Sequence, residues 1–170
     1  MIEEQTARAF KESVDLMRIG RAEIEANPDG IALRGAVIEA LALAGQLSRE
    51  SLLDPAGAGR KAGVDKYRPI MATSAGYAWL TTPANTRRDQ LEAGRRYVRF
   101  NLAAGAAGVA VHPVSQALQE YPEMAPAYDR AHEILAHQAG ATVQMLARLG
   151  YADAPPPAPR ESLEAKLTEV

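Results

Sequence analysis

Two runs, MATSAGYAWLTT (Met71–Thr82) and TVQMLARLGY (Thr142–Tyr151), carry strand patterning in a chain of 170 residues that otherwise reads as helix, turn or extended arm. Tyr77, Trp79 and Thr81 alternate onto one side of the first run, and Val143, Met145, Ala147 and Leu149 onto one side of the second. Gly108 to His112 adds a short extended segment that Pro113 breaks. Two strands and a short third do not make a stable sheet unaided. The expected class is therefore α+β, with a mixed sheet flanked by helices and further strands supplied from elsewhere.

Helical periodicity accounts for much of the rest. Phe10, Val14, Met17, Arg21 and Ile24 fall three or four apart, which predicts one amphipathic helix over the first 25 or so residues, ended by Asn27-Pro28-Asp29-Gly30. Leu33, Val37, Leu41 and Ala44 predict a second helix. Thr86 with Asp89 forms a capping-box signature ahead of a long helix on which Leu91, Gly94, Val98, Asn101, Leu102 and Gly105 share a face, expected to pack in the core. A further helix is expected from about Glu123 to Gln138, with Met124, Tyr128, Ala131 and Leu135 inward. The segment ADAPPPAPRESLEAKL has no means of bonding to itself, because its prolines hold it extended and remove donors. The expected organisation is one domain over 1–154 and an extended arm over 155–170 that must lie on another surface.

Charge and composition exclude several functions. Lys plus Arg is 19 and Asp plus Glu is 21, a formal charge of −2, which argues against a dedicated nucleic-acid binder. With no cysteine there is no thiolate nucleophile, zinc thiolate site or iron–sulfur cluster. The longest small and apolar run, Leu102 to Val111, is too short to cross a bilayer, so no membrane association is expected and the chain as it stands reads as cytoplasmic.

The motifs are sparse. Gly57 to Gly63 looks like a phosphate loop but lacks the preceding strand and the Lys-Ser/Thr pair, and reads as an ordinary loop. His132 and His137, five apart, would point to different sides of a helix, and no metal site is expected. Arg87, Arg88, Arg95, Arg96 and Arg99 share their helix with Asp89 and Glu92 and read as a solvated face. Ser74 and Ser115 have no nucleophile elbow around them, and no catalytic side chain is singled out. The segment Ala103 to Pro122 stands out: Gly105 and Gly108 permit a sharp turn, after which His112 to Gln116 could offer consecutive amide N–H groups to a ligand edge.

The run DQLEAGRRYVRFNLAAGAAGVAVHPVSQALQEYPEM, followed by VQMLARLGYADAPPPAPRESLEAKL, resembles the C-terminal half of nitroreductase-like FMN-dependent oxidoreductases, in a bacterial branch whose members often bear twin-arginine export signals. ESVDLMRIGRAEIEANPDGI and YRPIMATSAGYAWLTTP fit the same branch, so the resemblance spans nearly the whole chain. It implies a partial α/β/α sandwich, a homodimer with FMN at the subunit interface, and an arm reaching across the partner. It also implies electron transfer from NAD(P)H through flavin to a nitroaromatic or quinone-type acceptor. By the same resemblance the flavin ring edge meets Pro113, Val114, Ser115 and Gln116, and Arg160 lies at the FMN phosphate. Some relatives carry a lysine two residues before that arginine, where this chain has Ala158. Members are usually longer and grip the phosphate through an arginine-rich N-terminal half. The chain therefore reads as a fragment or partial chain, and a longer, exported form would be periplasmic. The alternative is a degenerate, non-catalytic relative that serves as an interaction or structural domain.

Overall fold

A computed structural model describes residues 2–57, 65 and 67–167, so most of the loop expected around Gly57 to Gly63 lies outside the described residues. The chain mixes α and β structure and divides into two compact units. One comprises Glu3–Arg68 with the terminal segment from Pro155, and the other Pro69–Ala154.

The first unit begins with α1 (Ile2–Gln5) and α2 (Ala7–Asp15), followed by β1 (Met17–Ile19), α3 (Gly20–Ala26), β2 (Ile31–Leu33), α4 (Ala36–Leu43) and α5 (Arg49–Leu53). The single N-terminal helix expected from periodicity is thus broken by a strand. Leu16 closes α2, and β1 then pairs in parallel with β2, Met17 facing Ile31 and Ile19 facing Leu33. Phe10 and Val14 keep the inward face the periodicity gave them and are buried with Ile19 and Leu52. Met17 and Leu33 pack against this cluster from the two strands. The side chain of Glu23 in α3 accepts the Ile19 amide at 2.9 Å and two N–H groups of Arg49 at 2.7 and 3.1 Å. These bonds, the Arg49 pair first, hold its carboxyl below the usual glutamate range. Arg49 also donates to the Met17 carbonyl at 2.7 Å, which joins α5 to β1. In the arm, Arg34 donates to the carbonyls of Pro156 and Pro157 at 3.3 Å each, supplying partners that the proline run cannot supply itself. Ser162 caps the terminal helix α8 (Leu163–Lys166).

The second unit carries a three-stranded antiparallel sheet in the order β3 (Gly76–Thr82), β5 (Thr142–Gly150), β4 (Ala110–Pro113). Between β3 and β4 runs α6 (Arg87–Ala106), capped by the expected Thr86–Asp89 box, with Thr86 Oγ accepting the Asp89 amide at 3.2 Å. Short 3-10 turns, Ser115–Leu118 and Pro122–Met124, lead into α7 (Ala125–Leu135). The first strand is shorter than expected, because residues 67–72 are helical and Thr73 turns its hydroxyl back to the Pro69 carbonyl at 2.8 Å. A bulge between Leu80 and Thr81 leaves Gln144 of β5 without a facing residue. Its amide instead donates to the Thr82 hydroxyl at 2.9 Å and to the Asn85 side chain at 3.1 Å. His132 uses both ring nitrogens, Nδ1 donating to the Tyr128 carbonyl and Nε2 accepting the Val143 amide, each at 3.0 Å, which pins α7 to the start of β5. Val143 and Ala147 are buried on one side of the central strand.

On α6 the expected inward face is corrected. Ala93 is the buried residue, with Tyr97, Phe100 and Ala104 half-buried on the same stripe, whereas Leu91, Val98 and Leu102 are 60, 59 and 70% exposed. Tyr97 and Phe100 reach the sheet beside Ala78 and Met145, which leaves the leucine and valine stripe outside. Among the described residues no helix is long and apolar enough to cross a membrane.

Gly30, at the turn into β2, has φ of +66°, and a Cβ there would stand 2.2 Å from the Leu16 carbonyl oxygen. That oxygen also accepts the Ile31 amide at 2.8 Å and cannot retreat without breaking the entry to the parallel pair. Gly30→Ala is expected to cost about 1–3 kcal/mol, read as a lower urea midpoint with an unchanged slope.

Candidate functional site

Strand alternation places Arg148 on the side of β5 opposite Val143 and Ala147, and cross-strand register sets His112 of β4 and Tyr77 of β3 directly beside it. One row therefore crosses all three strands. The Arg148 Nε–H donates to His112 Nδ1 at 2.7 Å, and its Nη1 donates to the Ile70 carbonyl at 2.9 Å. Tyr77 donates its hydroxyl to the neighbouring Met71 carbonyl at 3.3 Å. Both carbonyls lie in the last helical turn of residues 67–72, the carbonyl end of a helix, which favours a cation.

A cleft of about 270 Å³ opens beside this row, lined by Thr73, Ala75, Ala110, His112, Arg148 and Tyr151 among others, none of them acidic. Burial first, and then the positive charge of Arg148, lower the His112 pKa from its ordinary value. Guanidinium N–H groups only donate, so Nδ1 of His112 is the acceptor and the ring proton sits on Nε2. With its lone pair taken, His112 cannot serve as a general base. What remains is a set of donors: the Nε2–H of His112 and the unused N–H groups of Arg148.

The expected flavin-contacting residues fall in both units. Pro113 ends β4 and has no N–H to give, and the Val114 amide is committed to the Leu146 carbonyl at 3.0 Å. Ser115 and Gln116 open a 3-10 turn, so their amides are the ones without an intrahelical acceptor. Arg160 belongs to the first unit, where its side chain is exposed and pairs with nothing among the described residues. The three histidines engage separate partners: Arg148 for His112, Tyr128 and Val143 for His132, and the Trp79 ring, 6.2 Å away, for His137. On α6, Arg95 and Arg96 share Glu92 at 3.5 and 3.0 Å, a solvated charged face.

Arg148 is the residue that sequence reasoning passed over. Its signal is a lone charge within the run TVQMLARLGY, on the side that does not carry Val143, Met145, Ala147 and Leu149. A charge in a strand paired on both edges needs a partner in the fold, and periodicity alone does not name it.

Because the folded state lowers the His112 pKa, the unfolded chain takes up that proton first as pH falls through about 6.5. Stability contributed by neutral His112 is fully present above that value and is lost as pH falls toward the folded pKa. Thermal melts between pH 7.5 and 5.5 should show a declining Tm below about pH 6.5, and His112→Gln should flatten this part of the profile. An equal slope in the variant would remove His112 as the cause.

No protein-family model, curated protein or solved structure matches the chain.

Proposed function

We propose that the chain is part of an FMN-dependent oxidoreductase of the nitroreductase-like kind, working as a homodimer. The observation that carries the reading is the turn after β4, where the first two amides of the 3-10 helix, Ser115 and Gln116, stand without intrahelical acceptors. Amide donors at such a place fit the polar edge of a flavin ring, where they stabilise the electron-rich reduced form. Arg160, exposed on the arm, fits a phosphate, which a guanidinium holds by paired hydrogen bonds. When bound, FMN supplies the redox chemistry, taking hydride from NADH or NADPH and passing electrons to a nitroaromatic or quinone-type acceptor. The protein's part is orientation and electrostatics. That division of labour agrees with His112, whose Nδ1 lone pair is occupied by Arg148 and so is not free to take a proton from a substrate.

A second subunit is supported by the exposed stripe of Leu91, Val98 and Leu102 on α6 and by the outer edges of β3 and β4. Apolar side chains spaced seven and four apart on one helix make a continuous seam suited to a like seam.

Titration of the chain with FMN and riboflavin tests the flavin assignment. Arg160→Ala should weaken FMN by about tenfold or more and leave riboflavin, which lacks the phosphate, unchanged. Ser115→Ala should do little and Ser115→Pro should abolish binding of both, since only the latter removes the amide donor. Equal losses for the two flavins in Arg160→Ala would remove the phosphate role. Failure of the wild-type chain to bind either flavin would favour the non-catalytic interaction domain.

Leu102→Asp tests the seam. Since the side chain is 70% exposed within the chain, the circular dichroism spectrum should be unchanged, while sedimentation shifts from dimer to monomer. A wild-type chain that sediments as a monomer would refute the homodimer.

A further inference from the structure

Arg148 is half-buried, and its guanidinium donates to two neutral acceptors, His112 Nδ1 and the Ile70 carbonyl. Among the described residues no carboxylate lies within ion-pair distance of it, and the walls of the adjoining cleft hold no acidic side chain. A positive charge withdrawn from water without a counter-ion is costly unless an anion is delivered to it. His112 adds a second feature of the same sign. Its Nδ1 lone pair is filled by the arginine, so what it can offer a ligand is the Nε2–H. The remaining walls include Ala75, Ala110, Leu149 and Ala152, and the volume of about 270 Å³ is at the small end for a ligand pocket.

We propose that this cleft binds a small aliphatic carboxylate, its two oxygens on the free N–H groups of Arg148 and the Nε2–H of His112 and its alkyl part against the alanine walls. A monoanion with two acceptor oxygens matches two donor groups. A phosphate is tetrahedral, so it cannot turn all its oxygens to one guanidinium edge and one imidazole N–H, and those facing the alanine methyl groups would lose water and gain nothing. The site is defined by the sheet row and the cleft alone and needs no flavin.

Calorimetric titration of the whole chain, prepared without flavin, distinguishes the contributions. Butyrate should bind saturably. Acetate, two methylenes shorter, should bind roughly tenfold more weakly, and n-butanol, which lacks the charge, should not bind. Inorganic phosphate should bind more weakly than butyrate. Arg148→Gln should weaken butyrate by about tenfold or more. Because that variant also loses the bond to Ile70, Ala110→Leu provides an independent arm. It narrows the cleft from an exposed position of β4, leaves the Arg148–His112 pair in place, and should weaken butyrate several-fold with an unchanged circular dichroism spectrum. The proposal is overturned if wild-type chain shows no saturable butyrate binding, if n-butanol binds as well as butyrate, if phosphate binds more tightly, or if folded Ala110→Leu binds butyrate as the wild type does. Flavin affinity enters none of these readings, so failure of the flavin assignment and failure of this one are separately visible.

Discussion

Strand β5 is hydrogen-bonded along both edges, to β3 over most of its length and to β4 near its end, and the organisation of residues 69–154 follows from that central position. A central strand shows one side to the core and the other to whatever its neighbours bring alongside. Val143 and Ala147 use the first side and are almost fully buried. Arg148 occupies the second, with His112 and Tyr77 fixed next to it by register. A one-residue slip of β5 would exchange the two sides, placing a guanidinium in the apolar interior. The Gln144 bulge and the bond from the Val143 amide to His132 oppose that slip at the start of the strand, and the bond from Arg148 to His112 opposes it near the end.

Helix α6 is apolar along two stripes, a requirement that one sheet cannot meet. Ala93, Tyr97, Phe100 and Ala104 repeat at four, three and four, and Leu91, Val98 and Leu102 at seven and four, so both satisfy helical periodicity. The stripe with the smaller residue at its start lies closer to the sheet, where Ala93 permits close approach and the two aromatic rings extend to Ala78 and Met145. The leucines and the valine are then left outside by geometry rather than by polarity. The same helix carries its charges in a third sector, with Glu92 shared between Arg95 and Arg96 and its carboxyl held low, chiefly by the Arg96 hydrogen bond.

Local signals were the most legible in the sequence. The Thr86–Asp89 cap and the alternation of β5 each depend on residues close together in the chain, and each is found where its residues place it, whereas the segment expected over Gly108 to His112 is a strand only from Ala110 and takes in Pro113, which pairs with Ala147. Expectations that required a choice between equally periodic alternatives did worse. Met17 continues the helical spacing of Phe10 and Val14, yet it sits in a strand because β2 offers parallel backbone partners that lie more than ten residues away. Met71 to Ser74 have strand-like composition, but the chain there bends back on Pro69 and the strand starts at Gly76. On α6 the sequence held two apolar stripes and no indication of which one the sheet would cover. Arg148 was missed for a related reason, since its partner His112 is 36 positions away and becomes adjacent through the β4–β5 register.

Donor groups, in contrast to acids and bases, are what the region around β4 accumulates. Within His112–Gln116 the backbone supplies no N–H at Pro113 and spends the one at Val114 on Leu146, so the open amides are those of Ser115 and Gln116. The His112 ring is held as a donor at Nε2 by the arginine that occupies Nδ1. Arg148 adds further N–H groups and a full positive charge, with no acidic side chain lining the cleft to compensate it. Hydroxyl chemistry is also curtailed, since Thr73 and Tyr77 both turn their O–H groups to backbone carbonyls. An arrangement of this kind favours ligands that are anionic or that gain electron density, and it has little to offer a reaction that begins by removing a proton. The two proposals made for the chain share this requirement: a flavin ring gains charge on reduction at its polar edge, and a carboxylate carries its charge from the outset.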